Sequence, residues 1–415
     1  MSTLQTLRQL ESQTQRNFAF LFTVGLLFWI GLTTLLPTLP VYAQDIGASR
    51  QEVGFVMGAF AIGLLGSRVW LGQLVDRRGR KIAILIGTFV GATAPLGYLL
   101  TQSVLPLMAM RAYHGISVAA FATGYSALVV DLAPFKQRGE LVGYMSLAVP
   151  VGMALGPALG GYCVEWAGYT TLFVLAAGLG LLSFLCTLPI QEHSPTRLES
   201  DAHLQSPSRT IWQLLTSPSL LVPSLVLLLV GFVFGNLATF LPLFIREIQL
   251  NLNTGLFYST AAVASFISRV WTGRASDFYG RGVFITGSLL AYLASMLILS
   301  GVSTINWFLL AAILEGIGGG ILIPMTIALI SDRSSAQERG RVFAVCVSGF
   351  DVGIALAGPA FGYVEEFTGF RGLFLITSSL AFLAIILFLL QSNPDLKRSV
   401  AFALGRGRDD YALSK

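Results

Sequence analysis

Residues Ser67–Arg80 read SRVWLGQLVDRRGR, and residues Ser268–Arg281 read SRVWTGRASDFYGR. Both open on Ser-Arg-Val-Trp, pass through a glycine and an aspartate at matching positions, and close on Gly-Arg, with an offset of 201 residues. The register continues further along the chain. Asp131 aligns with Asp332, Arg138-Gly139 with Arg339-Gly340, and Gly152 with Gly353. After one inserted residue, Gly156-Pro157 aligns with Gly358-Pro359. A chain that repeats itself at half its length is built as two copies of one unit.

Each copy is too apolar for water. The 415 residues have a mean hydropathy of +0.73, and 11% are charged, against about 25% in soluble domains. Crossing a bilayer core takes about 20 apolar residues. Twelve segments qualify, near 17–41, 51–73, 82–101, 105–130, 141–163, 169–189, 219–245, 255–274, 282–301, 305–330, 341–364 and 371–391. Backbone groups in lipid must be satisfied within the segment, so each is expected to be a helix. The expected fold is an all-α membrane protein, with twelve transmembrane helices in two pseudo-symmetric six-helix bundles. Residues 1–16 form a polar tail, 17–190 the first bundle, 191–218 a linker, 219–391 the second bundle and 392–415 a second tail. The linker carries Pro195, Pro207 and Pro218 with His193 and His203. Six helices per copy make the repeats parallel, related by an axis along the membrane normal, as in one known transporter design.

Orientation follows from where the 26 Lys and Arg residues sit. With the N-terminus in the cytoplasm, twenty fall in the tails or cytoplasmic loops. Arg50, Arg246 and Arg371 fall outside, and Arg68, Arg111 and Arg269 lie within spans. The expected location is a cell (inner or plasma) membrane, crossed many times, with both termini cytoplasmic. The first span is too long for a cleaved signal peptide and reads as an uncleaved insertion signal. The pI near 9.2 is this loop bias, so no nucleic-acid partner is expected. Cys163, Cys186 and Cys346 read as packing residues. No metal-ligand spacing, cofactor motif or disulfide framework is legible. No G-x-x-x-x-G-K-[ST] occurs, so any drive must come from an ion gradient. No nucleophile, base and orienting group can be assembled, so no enzyme is expected. The default oligomeric state is a monomer.

The repeated stretch falls at the cytoplasmic ends of spans 2 and 8. In the first copy, Gly72 is expected to let helices approach closely. Asp76 is expected to end the helix, its carboxylate near a neighbouring helix N-terminus. Gly79 supports a tight turn. Arg77, Arg78, Arg80 and Lys81 can pair with acids such as Asp131. A topology anchor with a tight turn is the plainer reading of the cations, and a conformational latch is the reading favoured for Asp76. The whole run Gly72-Gln-Leu-Val-Asp76-Arg-Arg-Gly79-Arg80-Lys81 resembles the signature loop of the major facilitator superfamily. Gly273-Arg-Ala-Ser-Asp277-Phe-Tyr-Gly280-Arg281 resembles its degenerate second copy and lacks the final lysine. The resemblance extends over roughly residues 17–391. It implies alternating access by rocking of the two halves, with Asp76 and the loop cations stabilising the outward-facing state through the eleventh helix and Asp131.

Two further runs narrow the class. Gly152-x-x-x-Gly156-Pro157-x-x-Gly160-Gly161 in span 5 thins and weakens a helix. It resembles the antiporter motif of drug and metabolite exporters in the superfamily. Gly358-Pro359 is its counterpart in span 11. Arg111-x-x-x-Gly115 in span 4 resembles the family motif whose arginine is linked to proton transfer. Charges inside a bilayer are costly and tend to mark substrate or proton paths. Arg111, His114, Glu315 and Asp351 are therefore the candidates for proton coupling or substrate contact, each with a structural alternative as a constant ionic or packing partner. His114 and Glu315 occupy the same repeat position. Arg68 and Arg269 read as residues that snorkel or gate the cytoplasmic mouth. Tyr42, Trp166 and Tyr169 read as an outer aromatic belt.

The expected function is secondary active transport, most concretely proton-coupled efflux of a small amphiphile such as a drug, sugar or metabolite. Its rivals are a proton symporter or facilitator of the same fold, and a transport-inactive membrane sensor or receptor.

Overall fold

The computed structural model describes residues 10–134, 137–192, 213–214, 216–250, 252–335 and 338–413. His193 and His203 of the expected linker lie outside these, as do the side chains of Asp76 and Asp277. Most of the described residues are helical, and no strand occurs among them. In chain order the helices are α1 (Ser12–Thr34), α2 (Leu39–Asp45), α3 (Arg50–Arg78), α4 (Arg80–Leu100), α5 (Val104–Leu132), α6 (Arg138–Met145) and α7 (Ala148–Thr187). They continue as α8 (Pro218–Glu247), α9 (Thr254–Tyr279), α10 (Arg281–Gly301), α11 (Ile305–Asp332), α12 (Arg339–Gln391) and α13 (Leu396–Ala403).

Eight stretches are both long and apolar enough to cross a membrane by length and composition. Two of them contain a reversal. Gly168 interrupts α7 with φ 76°, and Gly369 interrupts α12 with φ 64°. A positive φ costs glycine nothing, because it has no Cβ. α3 and α9, of 29 and 26 residues, are long enough to span but are diluted by their charges. Counted this way, the chain has the twelve crossings of the expected fold. Gly168 and Gly369 stand 201 residues apart, so the repeat register holds in backbone conformation as well as in sequence.

Local chemistry sets the helix ends. Ser49 caps α3: its hydroxyl accepts the Glu52 N–H at 3.2 Å, and the Glu52 carboxylate accepts the Ser49 N–H at 2.8 Å. At the other end α3 runs through Asp76 and stops only at Gly79, φ 95°. The expectation that Asp76 ends the helix is corrected: a left-handed glycine stops a helix, whereas a carboxylate inside it does not. Gly280, φ 81°, separates α9 from α10 in the same way.

The residues fall into two compact units. Unit 1 comprises Met1–Pro195 with Asn253–Ser259, and unit 2 comprises Thr196–Leu252 with Thr260–Lys415. In unit 1, α1 packs on α7, and α5 on α3 and α4. Phe18, Leu21, Phe28, Phe121 and Leu128 form its buried core. In unit 2, α8 packs on α12, and α10 on α11 and α12. Leu220, Leu227, Ile330, Val342 and Cys346 cluster in its interior. Large apolar side chains such as Ile62, Leu100 and Trp271 are exposed, which suits a surface solvated by lipid.

Candidate functional site

Equivalent glycines hold the helices of each unit at backbone contact. A Cβ on Gly115 of α5 would overlap the Phe60 carbonyl of α3, and one on Gly316 of α11 would overlap the Ala261 carbonyl. The two contacts are the same contact 201 residues apart. Such small-residue crossings are how helices pack without a hydrophobic driving force.

Each crossing carries an ionisable group beside its glycine. In unit 1 His114 is 1% exposed, and its Nδ1 lies 2.9 Å from the Tyr98 hydroxyl. Arg111, one turn earlier, is buried with its guanidinium 4.3 Å from the centre of the Phe60 ring. That is cation–π distance. The Tyr98 hydroxyl faces Arg111 as well as His114, which makes the tyrosine the hub of the cluster. In unit 2 Glu315 is buried at the His114 position, and Tyr292 of α10 is buried beside it. Gly319 lies between them: a Cβ there would stand 3.0 Å from the Tyr292 hydroxyl and 3.9 Å from Glu315 Oε1. Tyr292 also faces Arg269, whose Nε donates to the Gly320 carbonyl at 3.2 Å. Arg269 is thus tied to α11. Asp351 is half-buried on α12.

The glycine run of α7 packs on α1. Gly152 lies against Trp29 and Ile30, Gly156 against Ile30 and Thr33, and Gly160 against Thr34. The Thr33 hydroxyl donates to the Gly152 carbonyl at 3.0 Å. Pro157 sits inside the helix without breaking it. Gly161 faces Asn253, whose amide donates to Glu165 Oε1 at 2.8 Å, all within unit 1. In unit 2 Gly353 packs on α8 at Leu228 and Gly231, Gly358 is buried, and Pro359 lies within α12.

At the loops, Arg80 forms an ion pair with Asp131, Nε to Oδ2 at 2.7 Å. Arg281 pairs with Asp332 through the same atoms, again 201 residues on. Within its own unit, Gly72 has no atom within 4 Å of where a Cβ would stand, and neither has Gly273. The close approach expected at Gly72 is not seen inside its unit. Of the proposed outer aromatics, Tyr42 donates to the Tyr98 and Thr101 carbonyls, and Tyr169 donates to Asp45.

Several residues that carry this geometry were not singled out by sequence. Glu192 accepts the Arg80 and Lys81 N–H groups at 2.7 and 3.0 Å and so caps α4. Arg333, counted only as a cytoplasmic cation, has a side chain with no exposure and makes a two-pronged pair with Asp409. Tyr98 and Tyr292 were lost among many aromatics. The repeat carried no signal for them either: in its register Tyr98 aligns with Leu299 and Tyr292 with Gly91.

The sequence profile of the Major Facilitator Superfamily matches residues 21–282 and 254–407. The chain is 26% identical over 396 residues to Multidrug resistance protein MdtG of Klebsiella pneumoniae (strain 342), covering 90% of this chain and 94% of that one. It is 29% identical over 180 residues to Quinolone resistance protein NorA of Staphylococcus aureus (strain Mu50 / ATCC 700699), covering 43% and 46%. In fold it resembles the nucleoside transporter NupG, at TM-score 0.75 and 14% identity over 89% of this chain and 98% of the other. It also resembles a bacterial homologue of the human lysosomal transporter Spinster in an inward-facing, unoccupied conformation, at TM-score 0.70 and 15% identity over 98% and 99%. With two units that repeat the same glycine crossings, the same glycine turns and the same Arg–Asp pairs, and a profile match spanning nearly all of it, the chain is a multi-pass membrane transporter that belongs to the Major Facilitator Superfamily.

Proposed function

We propose that the chain exports a small amphiphilic, drug-like molecule in exchange for protons, by alternating access, as a monomer in the inner or plasma membrane with both termini cytoplasmic. The observation that carries this reading is the glycine ladder of α7. Gly152, Gly156 and Gly160 lay that helix on the α1 backbone, and Pro157 removes one of its internal hydrogen bonds. The segment can bend while remaining sealed to α1, as an exporter's antiporter motif requires. The full-length similarity to multidrug resistance proteins supports the same direction, and the similarity to a quinolone resistance protein suggests a first substrate class.

Glu315 is the proposed proton carrier. Its carboxyl is buried within the α11 crossing beside the Tyr292 hydroxyl, where a charge is costly and proton uptake removes it. Asp351 is the second acid of the proposal, and Arg111 and His114 are its substrate or proton contacts in unit 1. Asp76, Asp277 and the Arg80–Asp131 and Arg281–Asp332 pairs are the proposed conformational latches.

The test uses inside-out vesicles with an acid interior and a lumenal pH dye, challenged with a fluoroquinolone and with a fluorescent lipophilic cation. The native protein should release protons when either probe is added. Glu315→Gln should reduce that release at least about 100-fold, the lower end of a typical general-acid or general-base contribution. Probe flux with no proton movement in the native protein would make it a facilitator, and probe movement in the opposite sense a symporter.

A further inference from the structure

The second loop lacks the lysine that closes the first: Gly282 stands where the first copy has Lys81. The space for that side chain is filled. A Cβ on Gly282 would overlap the Phe402 carbonyl of α13, and Ala403 lies just beyond it. The Thr286 hydroxyl, one turn further along α10, donates to the Ala403 carbonyl at 2.9 Å. Gly405, φ 74°, turns the chain against the Tyr279 carbonyl and Val283. α13 is therefore seated on the first turns of α10, on a face the first copy leaves to a lysine.

The seat is bolted by Arg333. Its Nε and one terminal nitrogen hold the two oxygens of Asp409, each at 2.9 Å. The same side chain donates to the Ser219 carbonyl at the start of α8 and to the Ser392 carbonyl after α12, both at 2.8 Å. Its guanidinium carbon lies over the rings of Phe402 and Tyr411, 5.9 and 5.1 Å from their centres. One buried guanidinium thus joins the ends of α8, α11 and α12 to the segment that follows them. That segment is also stitched to itself. Asn393 and Ser399 exchange hydrogen bonds, and Asn393 reaches the Arg408 carbonyl and the Asp410 N–H. The Leu413 N–H donates to the carbonyl of Asp332, the partner of Arg281.

We propose that residues 392–413 are a strap built into the second loop, with Arg333 as its positioning residue. The strap holds α8, α10, α11 and α12 together at the end that carries the Arg281–Asp332 pair, so this end of unit 2 moves as one body during transport. The second loop lacks its lysine because the strap occupies the lysine's place.

The test reads burial of the strap in the full chain, independently of what the transporter carries. Cys163, Cys186 and Cys346 are replaced by alanine, and Ala403→Cys, at a position with no exposure, is labelled with a polar maleimide in detergent. Arg408→Cys, at an exposed position, serves as the fast reference. Ala83→Cys, buried in unit 1, reports whether the protein is still folded. Ala403→Cys should label at least about tenfold more slowly than Arg408→Cys. Gly282→Lys and Arg333→Gln should each erase that difference while Ala83→Cys stays protected, and Arg333→Lys should erase it in part. Fast labelling of Ala403→Cys in the otherwise native protein would overturn the strap. So would unchanged protection in Gly282→Lys or in Arg333→Gln.

Discussion

The two loops of the repeat share a skeleton and differ in what covers it. Both consist of a single glycine with positive φ, Gly79 or Gly280, between two long helices. Both place an arginine on the next residue and pair it with an aspartate at the end of the helix after that. Over the first loop, the Glu192 carboxylate accepts the first N–H groups of α4, and Lys81 donates to the Leu188 carbonyl. Over the second, α13 and the Arg333–Asp409 pair take that position. Duplication preserved the turn and the ion pair, which depend on residues close in the repeat. The cover diverged, because it is supplied by whatever chain follows each bundle: the start of the linker for the first, the final segment for the second.

Substitutions at equivalent positions should expose this asymmetry. The largest effect is expected at Arg333→Ala. It strands Asp409 and two backbone carbonyls around a side chain that has no exposure, and breaking such a buried pair costs about 3–5 kcal/mol. Thermal unfolding in detergent should show a large drop. The aligned residue of the first half, Leu132, has no such role, and Leu132→Ala should cost clearly less.

Next come the turn glycines. A side chain at a left-handed position costs about 1–2 kcal/mol. Gly280→Ala should show that strain alone, since nothing stands within 4 Å of its Cβ position. Gly79→Ala should cost more, because its Cβ would stand 2.7 Å from Glu192 Oε2 and push the cap away. Equal losses at the two glycines would mean that Glu192 contributes nothing to the first loop.

Glu192→Ala by itself should remove a helix cap, about 1 kcal/mol, and raise amide hydrogen exchange at Arg80 and Lys81. The corresponding amides of α10 should be unaffected. The smallest effect is expected at the ion pairs. Asp131 is 45% exposed and Asp332 28%, and solvent-exposed pairs contribute about 0–1 kcal/mol. Asp131→Asn and Asp332→Asn should therefore barely change unfolding, with the Asp332 variant the more sensitive of the two. Any loss of transport beyond that would report a latch rather than a brace.

How much of this was legible depended on the range over which each feature is encoded. The spans, the turn glycines and the alignment of His114 with Glu315 are written locally or in the repeat. Asp131 was anticipated as a nearby partner for the loop cations Arg77, Arg78, Arg80 and Lys81, but not that Arg80 is the one that pairs with it. Asp76 was expected to end its helix ahead of the Gly79 turn, whereas the helix continues up to that glycine. The close packing of Gly152, Gly156 and Gly160 was legible as a tendency, but not its target, the α1 backbone at Trp29, Ile30, Thr33 and Thr34.

The sequence by itself determined that this protein is a duplicated, twelve-helix membrane protein, because bilayer thickness and backbone hydrogen bonding convert apolar length directly into helices. It determined the paired loops through a register that any reader can lay side by side. Only the tertiary structure decided which groups meet. Arg333 finds Asp409 across 76 residues, and Glu192 finds the start of α4 across 112. Tyr98 rather than a carboxylate meets His114. A buried polar group takes its partner from whatever the packing brings within about 3 Å, and helix packing sets that neighbourhood irrespective of distance along the chain.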